Sequence, residues 1–434
     1  MPRQRVFRRR ENGLFQLAVT LLILGSLAAT GYVWINGRTG DVSNPGVEFN
    51  EPSKRRQFNI RAETFVWPVY GYTAARTRDL PARVRPPFKP LWRFNANQLL
   101  EFSPILVHGT LYVVRKDSRV FAINAKTGRH RWTKKVGSLS AASPAYANGR
   151  IFVVTLSGRM VALNARTGHI RWAKNLGARS ESSPLTLGDS VIFGTQAGTL
   201  YRLRQSNGRI EWTYQAGGAI KGGPAYADGK VFVGAYGGTV HAVRVRDGAQ
   251  VWKSSTSGAR FGFGSGNFYA TPAVAYGRVY LGNTDGRVYS FAASNGRLAW
   301  SKATGAYVYG AAAIDNVNRL GPTVFVGSYD GNFYALDART GGVRWSYSSG
   351  GQISGAPTVV GGVVYFSTID TTNTYGLSTR TGRRVYARGS GAYNPVISDG
   401  HRIYMTGYES LSAYVMRRDF KRESKERRAA LRRH

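Results

Sequence analysis

From residue 91 to residue 416 the chain is a succession of short runs in which β-branched and aromatic residues alternate with polar ones, each run stopped by a Gly-containing pair. The stretch 142–176 shows the pattern in full. Runs over roughly 142 to 147, 150 to 156, 159 to 165 and 169 to 176, separated by Asn148-Gly149, Ser157-Gly158 and Thr167-Gly168, predict four short antiparallel strands joined by tight turns. The unit then repeats. Trp92, Trp132, Trp172, Trp212, Trp252, Trp300 and Trp345 stand 40, 40, 40, 40, 48 and 45 residues apart, and Tyr386 follows 41 residues later. A recurring four-stranded unit of this length predicts the blades of a β-propeller.

What repeats most faithfully is the hairpin before each tryptophan. The segment Phe121 to Trp132 returns as Val161 to Trp172 and as Tyr334 to Trp345, with weaker copies ending at Trp212, Trp252, Trp300 and Tyr386. Within it, the Asn or Asp and the Thr can bond the turn backbone, the Gly takes a positive φ, and the Trp fills the gap between neighbouring blades. The spacing A-x-(D/N)-x-x-T-G-x-x-x-W resembles the tryptophan-docking motif of the quinoprotein-like (PQQ-type) eight-bladed propellers, and it recurs across residues 92 to 416. The two ends are complementary. Residues 394–416 supply three strands and no Trp strand, whereas Leu91 to Phe94 is a Trp strand with no blade before it. Pairing them closes a ring of eight and removes the exposed sheet edges of a linear array. The expected fold is all-β, an eight-bladed β-propeller with an N-terminal transmembrane helix.

Residues 14–35 carry no charge and would form a helix about 33 Å long, enough to cross a bilayer. Five arginines among residues 1–13 put the N-terminus inside and the propeller outside, the arrangement of a single-pass plasma-membrane protein. A cleaved signal peptide, with Ser26-Leu27-Ala28 as its processing site, is the competing reading; either exports the propeller. The chain therefore divides into a cytoplasmic stub (1–13), a signal anchor (14–35), a Pro-, Arg- and Gly-rich linker and leader (36–90), the propeller (91–416) and a basic tail (417–434). The aromatic-dense part of the leader, 65–78, is expected to pack on the ring. With no cysteine, disulfides contribute nothing and the core alone must hold the fold.

Lys and Arg number 60 against 23 Asp and Glu, a formal charge of +37. Many of the basic residues cluster in the hairpins before the Trp strands, among them Arg129, Arg131, Arg166, Arg171, Arg383 and Arg384, and continue into the tail at Arg417 and Arg418. They predict a basic rim directed to the membrane, to anionic lipid or to an acidic envelope polymer. Strand direction places linker, tail and these hairpins on one face. No nucleic-acid module accompanies the charge, so nucleic acid is not an expected partner.

The family resemblance implies a PQQ-dependent dehydrogenase with Ca²⁺ beside the quinone as the rival function. This chain lacks the adjacent cysteine pair such enzymes carry, most blades are bare 40-residue units, and no acidic pair stands in a Ca²⁺-ligand arrangement. The six histidines lack zinc spacing, and no helix follows Gly262 to Gly266 to make a phosphate loop. No catalytic residue, metal or cofactor is expected. One constellation remains. Three residues before the blade-opening prolines stand Glu101, Ala141, Glu181, Lys221, Tyr269 and Ser354, with Tyr309, three residues before Ala312, and Tyr393 roughly equivalent. These positions should ring the channel mouth, where their variety reflects either drift within the repeat or a small polar-aromatic binding site. The extra segment from Ser257 to Asn267 would form a lid or docking loop on that face. The leading reading is a non-catalytic envelope scaffold with a protein partner of the envelope. Its ring architecture is similar to that of the propeller lipoproteins of the outer-membrane barrel-assembly machine.

Overall fold

The computed structural model describes residues 40–51, 60–256, 266–389, 391, 393, 394 and 396–432, and in it the repeat forms eight antiparallel sheets. Blades 1 to 7 span 105–135, 145–175, 185–215, 225–255, 273–303, 313–348 and 358–389. Blade 8 takes three strands from the C-terminal end, Val396–Ser398, Arg402–Thr406 and Ser410–Met416, and its outer strand, Phe88–Asn95, from the N-terminal side, with Ala413 opposite Trp92. The ring is thus closed as the complementary ends require. Stub 1–13, the apolar run 14–35 and nearly all of the segment 257–267 lie outside the described residues. Among the described residues no helix is long and apolar enough to cross a membrane.

In blade 2 the strands are Ala145–Ala147, Arg150–Val154, Arg159–Asn164 and Ile170–Asn175. The first begins three residues later than the apolar pattern predicts. Pro144 cannot donate to a ladder, and Ser143 is used sideways instead: its hydroxyl donates to the Ser103 carbonyl (2.8 Å) and its N–H to the Ser183 hydroxyl (3.0 Å), tying blade 2 to blades 1 and 3.

Each tryptophan docks on the following blade. Trp92 Nε1 donates to the Ala125 carbonyl at 3.0 Å, Trp132 to Ala165 at 3.0 Å, and the same bond recurs through Trp345, which donates to Thr379 at 3.0 Å. The Thr-Gly turn is shaped to receive the indole. Asn124 Oδ1 accepts from the Lys126 and Thr127 amides, Gly128 sits at φ 77°, and a Cβ there would come within 2.7 Å of the Trp92 ring. Glycine is therefore required both for the turn and for the close approach of the ring. Tyr386 breaks the tryptophan series because the outer hairpin of blade 8 is made from two distant segments and offers no Thr-Gly turn; its hydroxyl donates to Met405 Sδ instead, at 3.3 Å.

The ring has a hairpin face, carrying the Thr-Gly turns and the first turn of each blade, and an opposite face where the chain passes from blade to blade. The leader enters from the hairpin face. Val66–Trp67 pairs with the innermost strand of blade 1, and the chain then circles inside the channel. Backbone carbonyls of Pro68, Ala74, Ala75, Thr77 and Arg78 accept from Tyr146, Tyr226, Val274, Ile314 and Val359, residues of five further innermost strands. Asp79–Leu80 pairs parallel to blade 7, where the Gly361 amide donates to Leu80 and the leader leaves by the face it entered. Blades 3 and 8 are reached by side chains. Arg76, fully buried, donates to the carbonyls of Ser183 (3.3 Å), Pro184 (3.1 Å) and Pro224 (2.9 Å), and to that of Tyr70; Tyr70 Oη donates to Asn394 Oδ1 at 2.9 Å. The unpaired inner edges that eight blades present to a channel are covered in this way.

One expectation is corrected. The linker does not reach the ring wholly on the hairpin face. Asp41 lies at the opposite rim of blade 5, accepting from the Ala303 amide (2.8 Å) and Lys302 Nζ (2.5 Å); Val42–Ser43 then adds a fifth strand to that blade's outer edge and carries the chain to the hairpin face, where the Asn50 amide donates to Tyr276 at 2.9 Å. An outer strand with open N–H groups is what permits this crossing. The basic tail is also more than a charged extension. Phe420–Arg432 is an α-helix held on the hairpin face by its acidic residues: Glu423 to Arg402 at 2.6 Å and Glu426 to Lys126 at 2.8 Å, with Arg427 Nε donating to the Thr127 carbonyl at 3.1 Å. It bridges the seam between blades 8 and 1.

Candidate functional site: the closed end of the channel

Above the leader, on the face away from the hairpins, the channel ends in a cavity of about 260 Å³. Its wall contains all seven residues expected at the channel mouth, Glu101, Glu181, Lys221, Tyr269, Tyr309, Ser354 and Tyr393, and its floor includes Tyr70 of the leader. Ala141, the small member of the same register, is not among the lining residues. Each wall residue sits in the loop from an outer strand to the next innermost strand, so the repeat itself delivers one side chain per blade to this point.

Sequence register alone missed a second tier. Gln196, Tyr236 and Tyr329 come from the turns between second and third strands, each two residues before the turn's glycine (Gly198, Gly238, Gly331), and that offset is the signal that would have found them. Their backbone amides tie the two tiers together: Gln196 donates to Arg179, Tyr236 to Ala219 and Tyr329 to Tyr307.

The polar centre is Glu181. It accepts from Gln196 Nε2 at 2.5 Å and from Tyr269 Oη at 2.6 Å, and lies 3.3 Å from Lys221 Nζ. The ammonium in turn stands 5.0 Å from the Tyr269 ring centroid and 5.5 Å from that of Tyr236. Burial, the hydrogen bond to Glu181 and the charges of Glu181 and Glu101 together push the Tyr269 phenol well above its ordinary range. Burial and the like charge of Glu181 also raise the Glu101 carboxyl, with Lys116 opposing. Tyr309 meets Tyr269 at 5.5 Å and 90°, and Tyr329 at 4.9 Å and 65°, forming an aromatic corner in the wall of the same cavity.

No group of three or more His, Cys, Asp or Glu residues that could hold a metal occurs among the described residues. The lining also fits poorly with a quinone bearing three carboxylates. Glu101 and Glu181 already line the cavity, its one cation is paired, and Arg76 and Arg78 are sealed beneath the floor, 0% and 1% exposed. On the opposite face the basic hairpin residues Arg129, Arg131, Arg166, Arg171, Arg383 and Arg384, with Arg417 and Arg418 just before the helix, are all exposed.

Fold and site together define a tryptophan-docked eight-bladed propeller whose channel is filled from one side and cupped at the other. The family described as outer membrane protein assembly factor BamB matches residues 89–219, 116–303 and 212–419, and the chain belongs to that family. Among solved structures it is similar to BamB from Moraxella catarrhalis, with 19% identity over 76% of this chain and 100% of that one and a TM-score of 0.63. A europium-containing methanol dehydrogenase is 15% identical over 81% of this chain and 98% of its own, TM-score 0.66. The quinohemoprotein alcohol dehydrogenase ADHIIG from Pseudomonas putida HK5 is 13% identical over 82% and 80%, TM-score 0.68. At these identities the likeness is one of fold. No curated protein matches.

Proposed function

We propose that this protein is a non-catalytic, membrane-anchored propeller that acts as a binding or assembly scaffold in the bacterial cell envelope, with an envelope protein as its partner. The observation that carries the reading is the family match across the whole propeller, to a family described as an outer membrane protein assembly factor. The cavity supports it: an ion-paired, aromatic cup without a metal-binding group among the described residues suits recognition better than oxidation. In this reading residues 14–35 anchor the chain in the plasma membrane with the N-terminus cytoplasmic and the propeller extracytoplasmic. In the same reading the basic hairpin face meets anionic lipid or an acidic envelope polymer.

PQQ-dependent oxidation is the second reading, favoured by the dehydrogenases that share the fold. The test is twofold. Purified protein given PQQ and Ca²⁺ should neither bind the quinone stoichiometrically nor reduce dye with alcohols or sugars. Affinity capture from solubilised envelope should retain one or a few assembly proteins. Dye reduction would replace the scaffold with an oxidoreductase, and capture of nothing under cross-linking would end the scaffold reading.

A further inference from the structure

The cavity holds a cation of its own, and the way it does so shows what else it is built to hold. Lys221 is bound by a carboxylate at 3.3 Å and by two aromatic faces at 5.0 and 5.5 Å, an ammonium set between Glu181, Tyr269 and Tyr236. The remaining half of the cup repeats that chemistry. Glu101 supplies the carboxylate; Tyr309, Tyr329 and Tyr393 supply the rings; all four line the same cavity. Among the described residues no side chain makes an ion pair with Glu101, and Lys116, the cation nearest in effect, contributes charge at a distance only.

We propose that this half of the cavity receives the cationic end of an arginine or lysine side chain presented by a protein partner, set between the Tyr309–Tyr329 corner and the Glu101 carboxylate. This rests on the scaffold reading above and specifies what the scaffold grips. Three observations converge on it. With two carboxylates and one ammonium, the cup is acidic within a chain of formal charge +37, so the overall charge is not what makes it attractive to cations. Rings that meet edge to face, as Tyr309 and Tyr329 do, offer a corner in which a cation touches one π face, in the same cavity that Glu101 lines. At about 260 Å³ the space is at or below the low end of small-molecule sites, about 300–1,000 Å³, and suits one side-chain terminus. A bound cation also relieves the repulsion between Glu101 and Glu181.

The probes are Nα-acetyl-arginine amide and Nα-acetyl-lysine amide, with neutral Nα-acetyl-norleucine amide as the control and spermidine as a free polyamine, titrated calorimetrically into full-length protein in nanodiscs. At least one amino-acid cation should bind saturably and at least tenfold more tightly than norleucine amide. Glu101→Gln and, separately, Tyr329→Leu should each weaken it tenfold or more with melting unchanged, and Lys221→Met should strengthen it several-fold by releasing Glu181. Equal binding of the neutral control, or undiminished binding by a well-folded Glu101→Gln or Tyr329→Leu protein, would overturn the proposal. Spermidine binding far above both amides would replace the partner side chain with a free polyamine. Envelope proteins still captured by a chain that binds neither cation would sink this inference alone, whereas cation binding without any captured partner would sink the scaffold.

Discussion

Arg76 and Arg78 lie two residues apart in the leader, both buried and both at positive φ (61° and 57°), yet they should respond oppositely to removal. The Arg76 guanidinium donates to four backbone carbonyls. Left unpaired in the channel, each carbonyl costs about 2 kcal/mol, together ~8 kcal/mol. Against this stands the cost of holding the charge there: burial, together with the like charge of Arg78, draws the Arg76 pKa from 12.5 down to about 9, equivalent to ~5 kcal/mol. Arg76→Met should therefore destabilise the protein by ~3 kcal/mol. Arg78 stacks 3.8 Å over the Tyr70 ring, but its Nε and Nη2 have no hydrogen-bond partner among the described residues. Arg78→Met removes a buried charge and strands almost nothing, so its effect should lie within ~1 kcal/mol of zero or be stabilising. Methionine at either position inherits the same φ, which cancels backbone strain from the comparison. Urea unfolding at pH 7, followed by tryptophan fluorescence and circular dichroism, measures both. Equal losses in the two variants, or less than ~1 kcal/mol for Arg76→Met, would show that the carbonyl contacts do not hold the leader in the ring.

Ring closure predicts that deleting residues 91–94 lowers the melting temperature sharply, and that Trp92→Ala alone costs ~3–5 kcal/mol, since Trp92 is buried and bonded to Ala125; unchanged melting would refute closure by this strand. His241 is buried between Tyr214 Oη at 2.8 Å and Thr239 Oγ1 at 2.9 Å, and burial, aided by Lys253, lowers its pKa from 6.5 to about 4. Its folded pKa is depressed, so the unfolded chain takes up the proton first: stability present above pH 6.5 is lost as pH falls to 4, ~3 kcal/mol in all. Burial raises Asp285 from 3.8 to about 6 and gives the opposite slope over much of that range, so the measurement is the difference between wild type and His241→Gln; parallel pH profiles would refute it. Sedimentation of the anchor-free protein with anionic liposomes should be salt-sensitive and should fall when Arg383, Arg384, Arg417 and Arg418 are changed to Gln. Deleting the tail is the wrong experiment, because it would strip Glu423 from buried Arg402. Binding indifferent to lipid charge would leave the rim to an acidic polymer.

The blades were legible because each depends on side chains in fixed positions: an indole, a Thr-Gly turn and a proline at constant spacing leave a period in the sequence. The wall of the cavity was legible for the same reason, since Glu101 to Tyr393 share one register. The leader's route was not. It pairs through backbone carbonyls in pieces as short as Val66–Trp67 and Asp79–Leu80, and backbone pairing of two residues imposes no periodicity on side chains. The tail helix escaped notice because its net charge is basic while the residues that seat it, Glu423 and Glu426, are its few acids.

Because the leader comes in and goes out by the same face, it is a loop pushed into the ring and not a strand drawn through it. Nothing needs to be threaded. Blades can assemble and Phe88–Asn95 can complete the circle before or after the loop seats, and the loop can withdraw without any blade parting from its neighbour. Pulling force applied to the chain ahead of Asp41 would thus load first the strand on blade 5, then this stopper, and only last the closing strand of the ring.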